Sequence, residues 1–337
     1  MDEIIKCTYC QKPAVYHRKI SNEYVCPDHF VKTIERKILR TVRKYKMFSP
    51  MDKLAVGVSG GKDSLAVLYN VIQIQRSRQS STEIHAILID EGIHGYREES
   101  VEIAKKFCKK WQIPLHILRF QEHFGLSLDQ CIPNLQNLLI NACTVCGTVR
   151  RRLLNDKARE IGAKYLVIGH NLDDQAETFL QNIIRNDLSR IFLHPPWGNL
   201  QVESGIFIPR VKPLMEIPES EITLYCYFKK FPIQTTPCPY VEPYFILRKQ
   251  VQTFLNHLEH QSAEVKYNLL RMHENILKLN KPIENSSKDL SELKSYQLIK
   301  ERVKSEITQF CSNCHEPSGN SRDLCYYCFL KSKLGLI

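Results

Sequence analysis

No apolar run in the chain approaches the ~20 residues that a bilayer-spanning helix requires, which excludes a helical membrane anchor. The first ten residues, MDEIIKCTYC, lack the charged-then-apolar pattern of a secretory signal. A cytoplasmic protein without a membrane partner is therefore expected. A disulfide framework is excluded on the same ground, because thirteen cysteines in a cytosolic chain are better read as metal or reactive thiols. No internal repeat stands out beyond two cysteine modules near the ends.

What is present fits a larger soluble assembly of parts. The 337 residues leave room for one sizeable α/β core with smaller modules, and a hydrophobic content of 43% is ordinary. The net charge of +11 favours a polyanionic partner. Residues 32–46 hold Lys32, Arg36, Lys37, Arg40, Arg43, Lys44 and Lys46 against Glu35 alone, while Ile34, Ile38 and Val42 repeat at four-residue steps. That pattern predicts a basic helix with one buried face, tracking phosphates rather than serving only as a solvated surface.

Ten of the cysteines are arranged in sets. Cys7-x-x-Cys10 and Cys26-x-x-His29 offer four N/S donors, the number that closes a tetrahedral and therefore structural zinc site. Cys311-x-x-Cys314 and Cys325-x-x-Cys328 form a second four-ligand set, read as a zinc ribbon, with an iron–sulfur cluster as the rival occupant. Cys108, Cys131 and Cys226 remain and are read as packed thiols.

Between these modules, apolar strands alternate with helices. Lys53–Val58, Ile84–Ile89, Leu115–Phe120 and Tyr165–Ile168 read as strands, with helices after the first, over Arg97–Trp111 and around Thr148–Ile161. This alternation predicts an α/β doubly wound parallel sheet, whose ligands bind beyond the carboxyl ends of the strands. Residues 121–142 interrupt the pattern as a partly helical insertion over the site. The proline-rich stretch 187–243 predicts irregular chain with one helix after Pro218, helical period returns over 246–279, and 281–297 reads as a linker with a short helix.

The first strand runs into V-G-V-S-G-G-K-D-S, Val56–Ser64. Glycines at a strand-to-helix turn bare backbone N–H groups that can hold phosphate. It is not a Walker A loop: Val56 stands where the first glycine belongs and Asp63 follows the lysine. An acid there calls for a Mg²⁺ between it and a polyphosphate.

Cys143-x-x-Cys146 has no second knuckle within the next 60 residues. It precedes the helix expected near Thr148 and the run Arg150–Arg151–Arg152, both of which favour thiolate. Cys238, between Pro237 and Pro239, is the nearest plausible partner. Three cysteines suit a cubane cluster with one iron lacking a protein ligand. A persulfide relay with a resolving cysteine and an inert site completed by Cys226 are the alternatives.

Together the N-terminal C-x-x-C/C-x-x-H, S-G-G-K-D-S, C-T-V-C-G, G-H-N-L-D-D, T-P-C-P and the C-terminal four-cysteine ribbon resemble the tRNA thiolases of the TtuA type. These are a branch of the PP-loop ATP pyrophosphatases that includes archaeal and eukaryotic cytosolic enzymes. The TtcA-type enzymes lack the flanking zinc modules and fit less well. The resemblance implies ATP on Gly57, Val58, Ser59, Gly60, Gly61, Lys62, Asp63 and Ser64, adenine near the backbone of Ala86, and a nucleotide site completed by Gly169 and Asp174. A uridine C2 oxygen would attack the α-phosphorus. Sulfur on the open iron of a [4Fe–4S] cluster held by Cys143, Cys146 and Cys238 would then displace AMP, leaving 2-thiouridine. Lys62 and Mg²⁺ would stabilise the developing charge, with Asp63 and Asp174 on the metal or activating the nucleophile. Arg150 stands where the family has lysine; it cannot shuttle a proton, so its expected role is electrostatic.

The resemblance further implies tRNA as partner, two Zn²⁺, a homodimer, and sulfide or a ubiquitin-like thiocarboxylate protein as sulfur donor. The expected division is an N-terminal zinc finger (1–30), a basic helical linker (31–50), the PP-loop catalytic domain (51–245), a helical tRNA-binding region (246–305) and a C-terminal zinc ribbon (306–337). The family modifies either wobble position 34 or T-loop position 54. Seventeen Asn and seventeen Gln beside thirteen Cys are a labile load unlike hyperthermophilic proteins, which favours position 34. An amidotransferase or lysidine-type ligase leaves the three cysteines without work and needs a glutaminase domain that is not visible. A zinc-ribbon RNA binder with a vestigial nucleotide fold leaves Lys62, Asp63 and Asp174 unexplained.

Overall fold

The computed structural model describes residues 5–77, 82–138, 140–198, 207–240, 246–279, 310–316, 318 and 323–337. A short antiparallel hairpin, β1 (Tyr16–Arg18) and β2 (Glu23–Val25), leads into helix α1 (Pro27–Lys44). The basic helix expected over 32–46 thus starts earlier, where Pro27 presets the first turn. Ile34, Ile38 and Val42 are buried as their spacing required.

The core follows: β3 (Leu54–Gly57), α2 (Lys62–Ser77), β4 (Ile84–Asp90), α3 (Arg97–Trp111), β5 (Leu115–Arg119), α4 (Phe120–His123), α5 (Leu128–Asn137), α6 (Ala142–Glu160) and β6 (Tyr165–Val167). After α7 (Leu172–Ile184) and α8 (Leu188–Leu193) comes β7 (Arg210–Val211), then α9 (Glu219–Phe228), α10 (Ile246–Gln261), α11 (Val265–Leu279) and α12 (Tyr326–Lys333). The five core strands are parallel in the order β5-β4-β3-β6-β7, which puts the switch point between β3 and β6.

Strand parity sorts the sheet's side chains into two layers. Leu54, Val56, Ala86, Leu88 and Val167 face a core shared with α1, α2, α3 and α9. Ala55, Ile87, Ile89 and Leu166 face the opposite core, shared with α4, α5, α6 and α12. The N-terminal module therefore packs on one face of the sheet and the C-terminal ribbon on the other. Helices α10 and α11 lie against α7.

Three readings need correction. The proline-rich stretch supplies a fifth strand, β7, whose two residues are too few to show a period. The helix expected near Thr148 begins at Ala142, because Asn141 caps it by accepting from the Thr144 N–H at 2.7 Å. The proline-rich stretch also carries α8, a helix besides the one expected after Pro218, whereas residues 121–142 are partly helical as expected, with Phe124, Leu128, Cys131 and Leu135 buried in the second core. The expected linker and short helix over 281–297 lie outside the described residues. Among the described residues no helix is long and apolar enough to cross a membrane.

Candidate active site

β3 ends at Gly57, and Val58 still donates its N–H to Ile87 O at 2.8 Å before the chain leaves the sheet. Gly60 then takes φ +80°, a conformation that favours glycine. A methyl group there would lie 2.7 Å from Ser100 Cβ, so glycine is required by contact as well as by conformation. Ser64 locks the turn: its Oγ accepts the Ser59 N–H at 3.1 Å and donates to Gly61 O at 2.8 Å. The result presents Ser59–Lys62 at the N-terminus of α2, where the helix dipole favours anions.

Lys62 Nζ lies 3.1 Å from Asp63 Oδ2 and 2.7 Å from Glu219 Oε1. Burial alone would lower its pKa, but the two carboxylates outweigh it and push it up. Asp63 Oδ1 accepts from Asn171 Nδ2 at 3.0 Å, while Asn171 Oδ1 caps α7 through the Asp174 N–H at 3.0 Å. Burial, together with the charge of Asp174, pushes the Asp63 carboxyl up against the pull of Lys62 and Asn171. Asp174 Oδ1 also accepts from Arg248 Nη2 at 2.8 Å, and the two carboxylates, both tied to Asn171, are of the type that can hold a divalent cation. Gly169 backs onto Asp63: a Cβ there would come to 3.0 Å from the Asp63 carbonyl, so glycine lets the two loops approach without a shift.

Ala86 does not reach this rim. Its N–H is given to Pro114 O at 2.9 Å, its side chain is fully buried, and it pairs with Val56 inside the sheet. Ile87 O takes the last β3 rung, so the next main-chain groups turned toward β3 belong to Ile89, beyond the strand's end. The open backbone edge that could meet an adenine is therefore at Ile89.

Cys143 and Cys146 occupy the first turns of α6. Cys143 Sγ lies 3.7 Å from Tyr240 O, two residues along from Cys238, and Cys146 Sγ lies 3.8 Å from Glu91 Oε1. Glu91 is buried and is the hub of this region. It forms a two-pronged ion pair with Arg97, lies 3.3 Å from Arg150 Nε, and its chain continues β4. Arg97 Nη1 in turn donates to Ser59 O at 3.1 Å and Ser100 Oγ at 3.1 Å. The phosphate loop and the cysteine pair are thus joined by one buried salt bridge. The sequence reading named neither Glu91 nor Arg97 as a site residue, although Asp90-Glu91-Gly92 at a strand's carboxyl end was a visible signal.

The expected thiolate character of the pair is not intrinsic to the fold. Burial, then the Glu91 charge, pushes the Cys146 thiol up to about 12 despite Arg150. A coordinated iron would reverse that, since a metal deprotonates its thiol outright. Cys226 is not a fourth ligand: it donates to Lys62 O at 3.5 Å from the other core. With Cys108 and Cys131 it is a buried thiol raised by desolvation, as expected.

Among the described residues, donor atoms converge within 4.8 Å in two groups, Cys7/Cys10/Cys26/His29 and Cys311/Cys314/Cys325/Cys328. That convergence fits one ion apiece. Cys26 is the N-cap of α1 and His29 lies in its first turn, so the first site fixes where the basic helix starts. In the second, Cys325 caps α12, and Arg152 of α6 reaches Cys314 Sγ at 3.6 Å and Glu316 at 2.8 Å.

Several relatives carry the same plan. The family described as a PP-loop domain matches residues 31–237. The chain is 33% identical over 286 residues to the tRNA 2-thiolation protein NcsA of Haloferax volcanii, covering 82% of this chain and 88% of that one. It is 30% identical over 324 residues to the tRNA-5-methyluridine(54) 2-sulfurtransferase of Pyrococcus horikoshii, covering 96% and 93%. The solved U34-tRNA thiolase NcsA of Methanococcus maripaludis, which contains its [4Fe–4S] cluster, aligns over 100% of this chain and 98% of its own at TM-score 0.77 and 29% identity.

Proposed function

The chain belongs to the PP-loop family of ATP-dependent tRNA 2-thiolation enzymes, and we propose that its own target is the uridine at wobble position 34. The observation that carries the site assignment is the Glu91–Arg97 bridge, which ties the loop suited to ATP to the cysteines suited to sulfur delivery.

In this reading ATP lies over Gly57–Ser64, with its phosphates on the bared N–H groups and Lys62. Asp63 and Asp174 hold Mg²⁺ against the phosphates. Lys62, already charged beside two acids, exchanges Glu219 for the phosphates and steadies the charge that grows on pyrophosphate. The uridine C2 oxygen attacks the α-phosphorus, and adenylation turns a poor leaving group into a good one. Arg150, fixed by Glu91, offers a permanent positive charge beside the incoming sulfur. A [4Fe–4S] cluster held by Cys143, Cys146 and Cys238 supplies an iron able to carry that sulfur. A cubane would not require its three thiols to converge as the ligands of a single ion do.

The terminal modules hold one Zn²⁺ each and, with α1 and the 246–305 region, grip tRNA around the 51–245 catalytic core. The reaction is cytoplasmic. Sulfide or a ubiquitin-like thiocarboxylate protein supplies the sulfur. A homodimer is supported by exposed Ile183, Ile184 and Leu188 at the end of α7 and start of α8. Thiolation at position 54 is the second reading, favoured by the Pyrococcus relative that matches 96% of the chain. Anaerobically reconstituted protein with ATP, sulfide and a tRNA transcript should form 2-thiouridine at position 34, mapped by mass spectrometry of nuclease fragments. Modification at 54 selects the second reading, and no 2-thiouridine rejects both.

A further inference from the structure

Beyond the carboxyl ends of β6 and β7 lies a group of charges the reaction above does not use. Val167 and Val211 form the last rung of that pair, so Lys212 and the Gly169–His170 turn are the first residues past it. Arg210 precedes on β7, Arg150 and Arg151 come from α6, and Arg190 comes from α8. Arg190 is paired with Asp187 at 3.1 Å and Arg150 with Glu91. Arg151, Arg210 and Lys212 make no ion pair among the described residues, and Asp174 acts on Lys212 only through its charge. Lys212 gives its hydrogen bonds to neutral acceptors, Gln175 Oε1 at 3.1 Å and Pro195 O at 3.4 Å.

These cations stand close enough to act on one another. Burial and then neighbouring positive charge lower all three: Arg151 feels Arg150 and Arg190, Arg210 feels Arg151, and Lys212 feels Arg210 and falls to about 8. Two histidines complete the surface. Burial, then Lys212, Arg210, Arg248 and Arg150, drives His170 down to about 3; burial, then Arg210, Lys212, Arg190 and Arg151, drives His194 to about 4. Both residues are solvent-exposed. A fold pays for unpaired, mutually repelling cations only where something anionic offsets them.

We propose that Arg151, Arg210 and Lys212 form a phosphate site for the RNA backbone beside the target nucleotide, separate from the phosphates of ATP. ATP has Lys62 and the loop over β3, whereas this row lies over the neighbouring strands β6 and β7. Its charges come from separate elements, α6 and the end of β7, which suits a strand with repeated phosphates better than one leaving group. The proposal rests on tRNA being the substrate, as argued above.

The test measures tRNA binding without ATP across a salt series for wild type, Arg151→Gln, Arg210→Gln and the charge-keeping Arg210→Lys. Each glutamine variant should lower the slope of log K against log [salt] by about 0.7, the value for one single-strand phosphate contact, while Arg210→Lys keeps it. ATP affinity, measured on the same samples, should not change. Inorganic pyrophosphate competition is the second arm. An unchanged RNA slope with weakened pyrophosphate inhibition would reassign the cations to the leaving group and overturn the proposal, as would unchanged behaviour in both arms at an unchanged melting temperature. A wild-type protein that binds tRNA with the expected slope but forms no 2-thiouridine would instead fail the thiolation reading.

Discussion

The terminal cysteine modules and the internal cysteine set use the same residue in opposite ways. In each terminal module four donors meet within 4.8 Å, and two of the four are the cap and a first-turn residue of α1 or α12. A bound ion there organises local chain. Cys143, Cys146 and Cys238 do not converge to that degree, and their neighbours are Glu91, Arg97, Arg150 and the Tyr240 carbonyl. The surrounding charge is built before any metal arrives. A site that organises chain needs convergence, whereas one that does chemistry needs a fixed environment and an accessible position.

The largest effect expected from breaking this division is at Cys146. Cys146→Ser should abolish 2-thiouridine formation, by two or more orders of magnitude, and remove iron from reconstituted protein. Zinc content and melting temperature should hold, because the thiol contributes little to either core. Metal analysis and nucleoside mass spectrometry on one preparation check this; retained iron, or loss of zinc with it, would erase the distinction between the sets.

Cys26→Ser comes next. Its sulfur is fully buried, 3.3 Å from His29 Nδ1, and its backbone starts α1. Metal binding in such modules is coupled to folding. Hydrogen exchange should therefore quicken over 5–30 and the first turns of α1, while β3–β6 keep their protection. Iron should be retained, and thiolation should fall about tenfold through weaker tRNA binding, since a basic helix that starts poorly presents its phosphate contacts poorly. Exchange that spreads into the sheet would show that the module supports the core rather than α1.

How much of this was legible follows from what each feature depends on. The phosphate loop, the four-ligand modules and the buried face of α1 are local patterns, where a few neighbouring residues carry the whole signal. Strand β7 was missed because two residues have no period, and its pairing with β6 is made entirely by tertiary contact. Where an adenine would meet β4 depends on strand pairing, which the sequence does not show: Ala86 gives its N–H to Pro114 O inside the sheet, and the main-chain groups nearer the rim belong to Ile89. The cation row was invisible because Arg151, Arg210 and Lys212 are brought together from α6 and β7. Burial and Glu91, which oppose the helix end and the arginines at Cys146, were not visible in the sequence.

Arg150 gives the smallest and sharpest test of the environment around the internal set. Its Nε is 3.3 Å from Glu91, which also holds Arg97, so the two arginines share one buried carboxylate. Replacing Glu91 would strand Arg97, and breaking a buried pair costs about 3–5 kcal/mol, enough to confuse stability with chemistry. Arg150 is partly exposed and can be changed without that penalty. If it acts only as a fixed charge, Arg150→Lys should keep most of the thiolation rate and Arg150→Ala should lower it about tenfold, with the melting temperature of both near wild type. The pH profile of the lysine variant is the deciding readout. A lysine that merely supplies charge leaves the profile unchanged below pH ~9, since its ordinary pKa is about 10.4. A new limb near neutral pH would mean that the position moves a proton when its residue allows it.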